Sequence, residues 1–280
     1  MCRTLTKVIT VVTVSVATAV AIPGSARAAI LSAGPPPRSM AALGDSITQA
    51  FNACGWYVNC PSESWSAGWT PAINSHYRRI LAVDPAISAR NPNDSVSGAK
   101  AHNLDAQAQV AVSQQVEYVT ILIGANDACT STEATMTPVA TYRAQVDVAL
   151  RTLKAGLPNA RVFVASIPDI KRLWYIHRYN LAALSAWRAF GICQSMLANP
   201  TSYSHEASSR RIRVQQRVVD FNTQLAQVCA TYGNTCRYDG SAVFDYQFVP
   251  GQVSSWDYFH PSKSGQTTLA AVTYAAGFGW

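Results

Sequence analysis

The stretch Tyr118-Val119-Thr120-Ile121-Leu122-Ile123, followed by Gly124-Ala125-Asn126-Asp127, decides the fold. A strand with one wet face alternates apolar and polar residues. A nearly unbroken apolar run of this length suits a strand buried on both faces, as in a parallel sheet covered by helices. Two shorter runs read the same way. Met40 to Leu43 follows a Pro-rich lead, Gly34-Pro35-Pro36-Pro37, and stops at Gly44-Asp45-Ser46; Val162 to Ile167 is closed by Pro168. Between and beyond them the period changes. Val139, Tyr142, Val146, Leu150 and Leu153 recur at three- and four-residue steps up to Gly156, and Val218, Phe221, Leu225 and Val228 do so before Gly233. Strands alternating with amphipathic helices predict an α/β fold with a mostly parallel sheet and helices on both faces. In such sheets ligands sit beyond the carboxyl ends of the strands. The polar turns after Leu43 and Ile123 are therefore where chemistry is expected.

Composition supports a folded chain. Of 280 residues 49% are hydrophobic and only 13% charged, while unfolded chains are rich in charge and poor in large apolar groups. Nothing recurs at a fixed period, which argues against a solenoid or propeller. Arg3 and Lys7 precede an apolar run from Val8 to Ile22, then Pro23-Gly24 and Ala26-Arg27-Ala28. This is the layout of a secretory signal peptide over residues 1–28, with a small-x-small cleavage site. The run is shorter than the roughly 20 residues that span a bilayer. Residues 29–38 form the mature Pro-rich lead, and 39–280 a single domain. Loss of three basic residues with the signal takes the net charge from +7 to +4. With no long basic run, nucleic acid is not an expected partner.

Export fits the cysteines. Without Cys2, six remain: Cys54, Cys60, Cys129, Cys193, Cys229 and Cys236. An even count in an exported chain reads as a disulfide framework, with 15 possible connectivities. Sequential pairing is the simplest; it closes two short loops and fastens one long insertion. The absence of Cys-x-x-Cys argues against a zinc knuckle or thioredoxin-like site.

Gly44-Asp45-Ser46-Ile47-Thr48 follows a strand and is expected to open a helix, which would place the Ser46 N–H where it can stabilise an oxyanion. The competing reading is a serine that only caps the helix. Asn126 lies just past a buried strand and offers a side-chain amide donor; an ordinary Asx-turn is the alternative. Near the C-terminus stands Asp257-Tyr258-Phe259-His260-Pro261. A carboxylate three residues before a histidine can fix the imidazole in one tautomer while its other nitrogen takes a serine proton. His76, His102, His177 and His205 have no such setting and read as structural or surface residues.

Together these blocks resemble the SGNH (GDSL-type) hydrolase family: Gly44-Asp45-Ser46 its first block, Gly124-Ala125-Asn126-Asp127 its third, Asp257-Tyr258-Phe259-His260 its last. The second block is best matched by Gly98 in Val96-Ser97-Gly98-Ala99-Lys100. Ile47 stands where the family's nickname has Leu. The resemblance implies a flavodoxin-like three-layer α/β/α sandwich and ester hydrolysis. It implies Ser46 as nucleophile, His260 as general base and then acid, and Asp257 as the group orienting His260, a task that a backbone carbonyl shares or replaces in some members. The implied oxyanion hole is the Ser46 N–H, the Gly98 N–H and the Asn126 side chain. Asp45 and Asp127 are expected to fix their turns.

Other chemistries lack their signatures. There is no Gly-x-Ser-x-Gly elbow, no second His at 209 to complete a zinc-peptidase motif after His205-Glu206, and no phosphate-cradling loop. No metal and no organic cofactor is expected. The aromatic-rich segment from Lys171 to Asn199 is a candidate wall for an acyl groove, with core packing as the alternative. Arg210, Arg211, Arg213 and Arg217 could meet anionic lipid head groups or acidic polysaccharide, or form a solvated helix face. A finer resemblance to phospholipase-B-type and secreted bacterial lipase members, in Ser97 to Ala101, Tyr118 to Cys129 and Tyr258 to Pro261, implies lipid esters as substrate. A lipid surface is then a transient partner, and a monomer is the default. Two alternatives remain: a carbohydrate O-acetyl esterase of the same fold, and an exported binding protein without catalysis.

Overall fold

The computed structural model describes Met1 and residues 34–280. The signal peptide read at 1–28 and the start of the Pro-rich lead lie outside those residues, Met1 apart. Four strands form one parallel sheet in the order β1 (Met40–Gly44), β2 (Tyr118–Leu122), β3 (Arg161–Val164) and β4 (Cys236–Tyr238). Among the described residues ten α-helices connect or follow them: α1 (His76–Val83), α2 (Leu104–Ser113), α3 (Ala125–Ala128), α4 (Val139–Gly156), α5 (Ile170–His177), α6 (Leu181–Ala189), α7 (Gln194–Leu197), α8 (His205–Tyr232), α9 (Ala242–Asp245) and α10 (Lys263–Ala276).

An extended segment, residues 90–96, runs along the free edge of β1. Met40 and Ala42 donate to the Arg90 and Pro92 carbonyls, and the Asp94 and Val96 N–H groups donate back to Ala42 and Gly44. Pro92 has no N–H to give, so this stretch cannot make a full ladder. Counted as the second strand in the chain, it gives the spatial order 2-1-3-4-5 of flavodoxin-like sheets. The chain therefore reverses direction across the sheet between β1 and β2, and a crevice opens at their carboxyl ends.

Helices cover both faces, as the apolar strands require. Helices α2, α4 and α8 pack together on one face, where the Tyr142 and Phe221 rings stack 4.1 Å apart. Helices α1 and α10 lie on the other. Between them His76 is fully buried, with Nδ1 2.8 Å from the Tyr118 hydroxyl and Nε2 2.8 Å from the Thr273 hydroxyl. Burial pushes its imidazole down to about 3, so the ring is a neutral core strut.

Strand β3 ends three residues earlier than its apolar run predicts. Ala165 N–H still donates to the Ile121 carbonyl, and beyond it the backbone bonds to side chains: Ser166 N–H donates to Asp239 and Ile167 N–H to Asn222. Bridges join Cys54 to Cys60, Cys129 to Cys193, and Cys229 to Cys236. The middle bridge spans 64 residues, against 6 and 7 for the others. By loop-closure entropy it restricts the unfolded chain by about 4 kcal/mol, the short ones by about 2 each. Among the described residues no helix is long and apolar enough to cross a membrane.

Candidate active site

Strand β1 delivers the chain to Ser46 through a glycine that nothing can replace without movement. Gly44 has φ +142°, and a Cβ there would lie 2.2 Å from the Leu122 carbonyl oxygen. Both polar groups of Gly44 are held by one buried amide on α2: its N–H donates to Gln107 Oε1 (2.8 Å), and Gln107 Nε2 donates to its carbonyl (2.9 Å). The helix expected after Gly44 does not form. Residues 45–53 make a run of tight turns, with Gln49 N–H on the Asp45 carbonyl and Phe51 N–H on the Ser46 carbonyl. Ala50 and Asn52 take positive φ (+50° and +62°), which stops a helix from propagating. The Ser46 N–H is thus aimed by a turn rather than by a helix dipole. Gln266 of α10 fixes the far side, donating to the Ile47 carbonyl at 2.8 Å.

Asp45 is fully buried. One carboxyl oxygen accepts the Ile47 N–H at 2.9 Å; the other, Oδ2, has no partner among the described residues. Burial raises this carboxyl to about 7, against the pull of the Ile47 N–H and of His260, with Asp127 adding to the rise.

Strand β2 leads to the second turn through Gly124, at φ +119°. The next residues grip the Gly98 loop. Asn126 Nδ2 donates to the Ala99 carbonyl (3.0 Å), and Asp127 accepts the Ala101 N–H (2.9 Å) and the Thr137 hydroxyl (2.7 Å). Burial raises the Asp127 carboxyl, partly offset by Thr137 and Ala101. Gly98, at φ +83°, is exposed at the tip of that loop.

The third piece precedes α10. Asp257 Oδ1 accepts the N–H groups of Phe259 and His260, an Asx-type turn passing through Tyr258 at φ +54°. Its Oδ2 lies 2.6 Å from His260 Nδ1, and His260 Nε2 lies 2.8 Å from Ser46 Oγ. Burial works to raise the Asp257 carboxyl, but His260 and the two N–H groups outweigh it and hold it below the usual carboxylate range. The Phe51 and Phe259 rings each sit 5.0 Å from the imidazole and limit its rotation. Trp187 of α6 donates to the Tyr258 carbonyl at 3.0 Å, tying the turn to the long insertion.

The structure brings Ser46, Gly98, Asn126, Asp257 and His260 to one open cleft. Among the described residues the Ser46 and Gly98 N–H groups bond to nothing, and Asn126 has one amide N–H beyond the one given to Ala99. Three donors without partners among the described residues therefore belong to residues lining one cleft with a serine that is hydrogen-bonded to an imidazole. This arrangement can activate a hydroxyl for attack and hold the negative charge that follows. The bridged pair Cys129 and Cys193 also lines the cleft.

Phe259 also lines a second, apolar cavity of about 60 Å³, walled by Ile47, Ala125, Leu173, Phe248 and Val253 among others. Ile47, Ala125 and Phe259 are chain neighbours of Ser46, Asn126 and His260. The segment from Lys171 to Asn199 plays several parts. Leu173 and Ile176 line this cavity, Phe190 and Ile192 wall the Ser46 cleft, and Trp174 and Trp187 are buried in the core. The arginines expected on a helix face are mostly structural. Arg211 is buried over the Trp174 ring, Arg217 donates to the Thr137 carbonyl, and Arg213 pairs with Glu133.

Asn52, Gln107 and Gln266 were not singled out by sequence. Their amides act across 205, 63 and 219 residues, and a buried amide on a helix or loop leaves no periodic mark.

Comparison with solved structures agrees on the fold. An extracellular lipase from Streptomyces rimosus aligns with TM-score 0.51 at 20% identity, covering 85% of this chain and 99% of that one. An acetylxylan esterase from Geobacillus stearothermophilus, solved as a catalytic mutant, aligns with TM-score 0.53 at 15% identity, covering 86% and 94%. No curated protein matches the chain in sequence. A family model described as GDSL-like lipase/acylhydrolase matches residues 40–272, from the first residue of β1 into α10. By that match, and with the parallel sheet its members' fold requires, the chain belongs to the GDSL-like lipase/acylhydrolase family of ester hydrolases.

Proposed function

We propose that this protein is an exported serine esterase that cleaves carboxylic esters of lipids. The observation that carries the reading is the unbroken line from Ser46 Oγ to His260 to Asp257, at 2.8 and 2.6 Å, beside three free N–H donors. His260 keeps its proton on Nδ1, which donates a hydrogen bond to the Asp257 carboxylate, and this leaves Nε2 to accept from the Ser46 hydroxyl. Ser46 Oγ attacks the ester carbon as Nε2 takes its proton. The oxyanion accepts from the N–H groups of Ser46 and Gly98 and from the Asn126 amide. Collapse expels the alcohol, which leaves with the proton from His260; water then repeats the sequence and frees the acid. The contact at Nδ1 supports Asp257, rather than a carbonyl, as the orienting group.

The apolar side chains that wall the Ser46 cleft, Phe51, Phe190, Ile192 and Phe259, favour lipid over acetyl esters. Each CH₂ of an acyl chain laid against them gains about 0.8 kcal/mol on leaving water, a gain that grows with chain length and is smallest for acetyl. The exposed Trp56, Tyr57 and Phe190 at the cleft suit brief contact with a lipid surface. Three bridges suit an oxidising compartment, in keeping with bacterial-type export. Every group in the scheme comes from one chain, which suits a monomer, and no step in it calls on a metal or cofactor.

The test compares long-chain phosphatidylcholine, a triacylglycerol and acetylated xylan, with the wild type beside Ser46→Ala. Fatty acid release that the variant lacks is the expected result, with a loss of about 10⁴-fold or more. Acetate from xylan alone would move the substrate to carbohydrate. Labelling of the wild type but not Ser46→Ala by a fluorophosphonate separates an enzyme from a binding protein.

A further inference from the structure

We propose that Asn52 is a positioning residue for the His260–Asp257 pair, held in place by the loop that the Cys54–Cys60 bridge closes; this rests on the serine-esterase reading above. Asn52 is 3% exposed and donates from Nδ2 to Asp257 Oδ2 at 2.7 Å. That oxygen is the one facing His260 Nδ1. Of the two ends of this amide only the N–H can donate to a carboxylate, and Asn52 Oδ1 accepts the Tyr57 N–H at 2.6 Å, so the amide has one orientation. Tyr57 lies inside the bridged loop. The loop thus sets the amide, and the amide sets the carboxylate.

Asp257 uses all its accepting positions in this way. Oδ1 takes two backbone N–H groups of its own turn, and Oδ2 takes His260 and Asn52. Without Asn52, a carboxylate oxygen in a buried place keeps a lone pair with no donor and the carboxyl can rotate away from Nδ1. The backbone of Asn52 is fastened too: its N–H donates to the Val58 carbonyl, and its carbonyl accepts the Ser254 hydroxyl at 3.0 Å. The Asp257 segment and the Ser46 segment are therefore joined twice at this residue, once by main chain and once by the amide.

A simpler role competes. Asn52 has φ +62°, a conformation asparagine tolerates better than most residues, and the turn alone could explain it. Asn52→Gly separates the two, because glycine accepts that backbone without strain and has no amide. Asn52→Asp keeps the shape and the Tyr57 contact but replaces the donor with a carboxyl against Asp257. Both are assayed for ester hydrolysis with the wild type and Ser46→Ala, and their folding is followed by thermal unfolding. The far-downfield proton resonance of His260 Nδ1–H is recorded for each.

If Asn52 positions the pair, kcat falls about 10- to 100-fold in both variants, with KM within about twofold. The Nδ1–H resonance moves or is lost, and Asn52→Gly still unfolds cooperatively near the wild-type temperature. Wild-type kcat and an unmoved resonance in Asn52→Gly would overturn the proposal and leave Asn52 a turn residue. Turnover that persists in Ser46→Ala would instead overturn the esterase reading itself, so the two failures are distinct.

Discussion

The turns after β1 and β2 both leave the sheet through a glycine with positive φ, and both sink an aspartate beneath the cleft. They differ in what surrounds those residues. Gly44 faces main chain, its missing Cβ lying 2.2 Å from the Leu122 carbonyl oxygen; Gly124 faces side-chain ends, Ile167 Cδ1 at 2.5 Å and the Tyr142 hydroxyl at 2.7 Å. Asp127 has both oxygens bonded and clamps a second loop, whereas Asp45 keeps one oxygen unpartnered in the core. The β1 turn is packed so that one serine cannot move. The β2 turn is a coupling, holding Gly98 within reach of its own Asn126. In the proposed reaction, fixing a nucleophile calls for rigid main chain, and assembling donors from two loops calls for side chains that reach across.

The comparison can be broken first at the glycines. Gly44→Ala is expected to cost about 4 kcal/mol or more, since strain at that φ and a clash with fixed backbone add together. Gly124→Ala should cost about half as much, because side-chain ends yield. Denaturant unfolding of both variants checks this, and equal losses would remove the distinction between the turns. Asn126→Ala is expected next, lowering kcat about 10²- to 10³-fold while leaving residual turnover that Ser46→Ala lacks. A loss as complete as that of Ser46→Ala would mean that the coupling to Gly98, rather than one donor, had failed.

The aspartates give the smallest effects, and their signs differ. Asp127→Asn puts an amide where two donors point, so stability should fall by about 1–3 kcal/mol at neutral pH. Asp45→Asn loses no bond, since its amide nitrogen takes the place of the unpartnered oxygen. The Asp45 carboxyl stands at about 7 in the fold, above its unfolded value of 3.8. Between those values the folded chain holds a proton that the unfolded chain releases, so wild-type stability falls as pH rises through that window and levels off above about 7. Urea unfolding across pH 4 to 8 should show that fall, and the Asp45→Asn variant should lack it. An unchanged slope in Asp45→Asn would place the proton elsewhere.

Strands buried on both faces are conspicuous in a sequence, and the glycines that end them are equally so. That is why β1, β2, β3 and the turns carrying Ser46 and Asn126 could be read from residues alone. Strand β4 is only Cys236-Arg237-Tyr238 at an edge, and the segment at 90–96 contains a proline, so neither reads as a strand. The Asp257 to His260 spacing foretold a local pair because both groups belong to one turn. The amides of Asn52, Gln107 and Gln266 act between segments far apart in the chain, and only the packed fold brings them to their partners. The helix expected after Ser46 failed for a local reason, the left-handed residues at 50 and 52, which no apolar pattern announces.

Ser46 and His260 meet across 214 residues, and that separation has a kinetic meaning. A parallel sheet has few local contacts, and such topologies fold slowly because distant segments must find one another. The segment that carries His260 follows all four strands and leads directly into the last helix. Catalysis therefore waits on a non-local contact: during refolding, esterase turnover should not precede the docking of the His260 segment against the turn after β1, whatever helical signal and compaction have been gained.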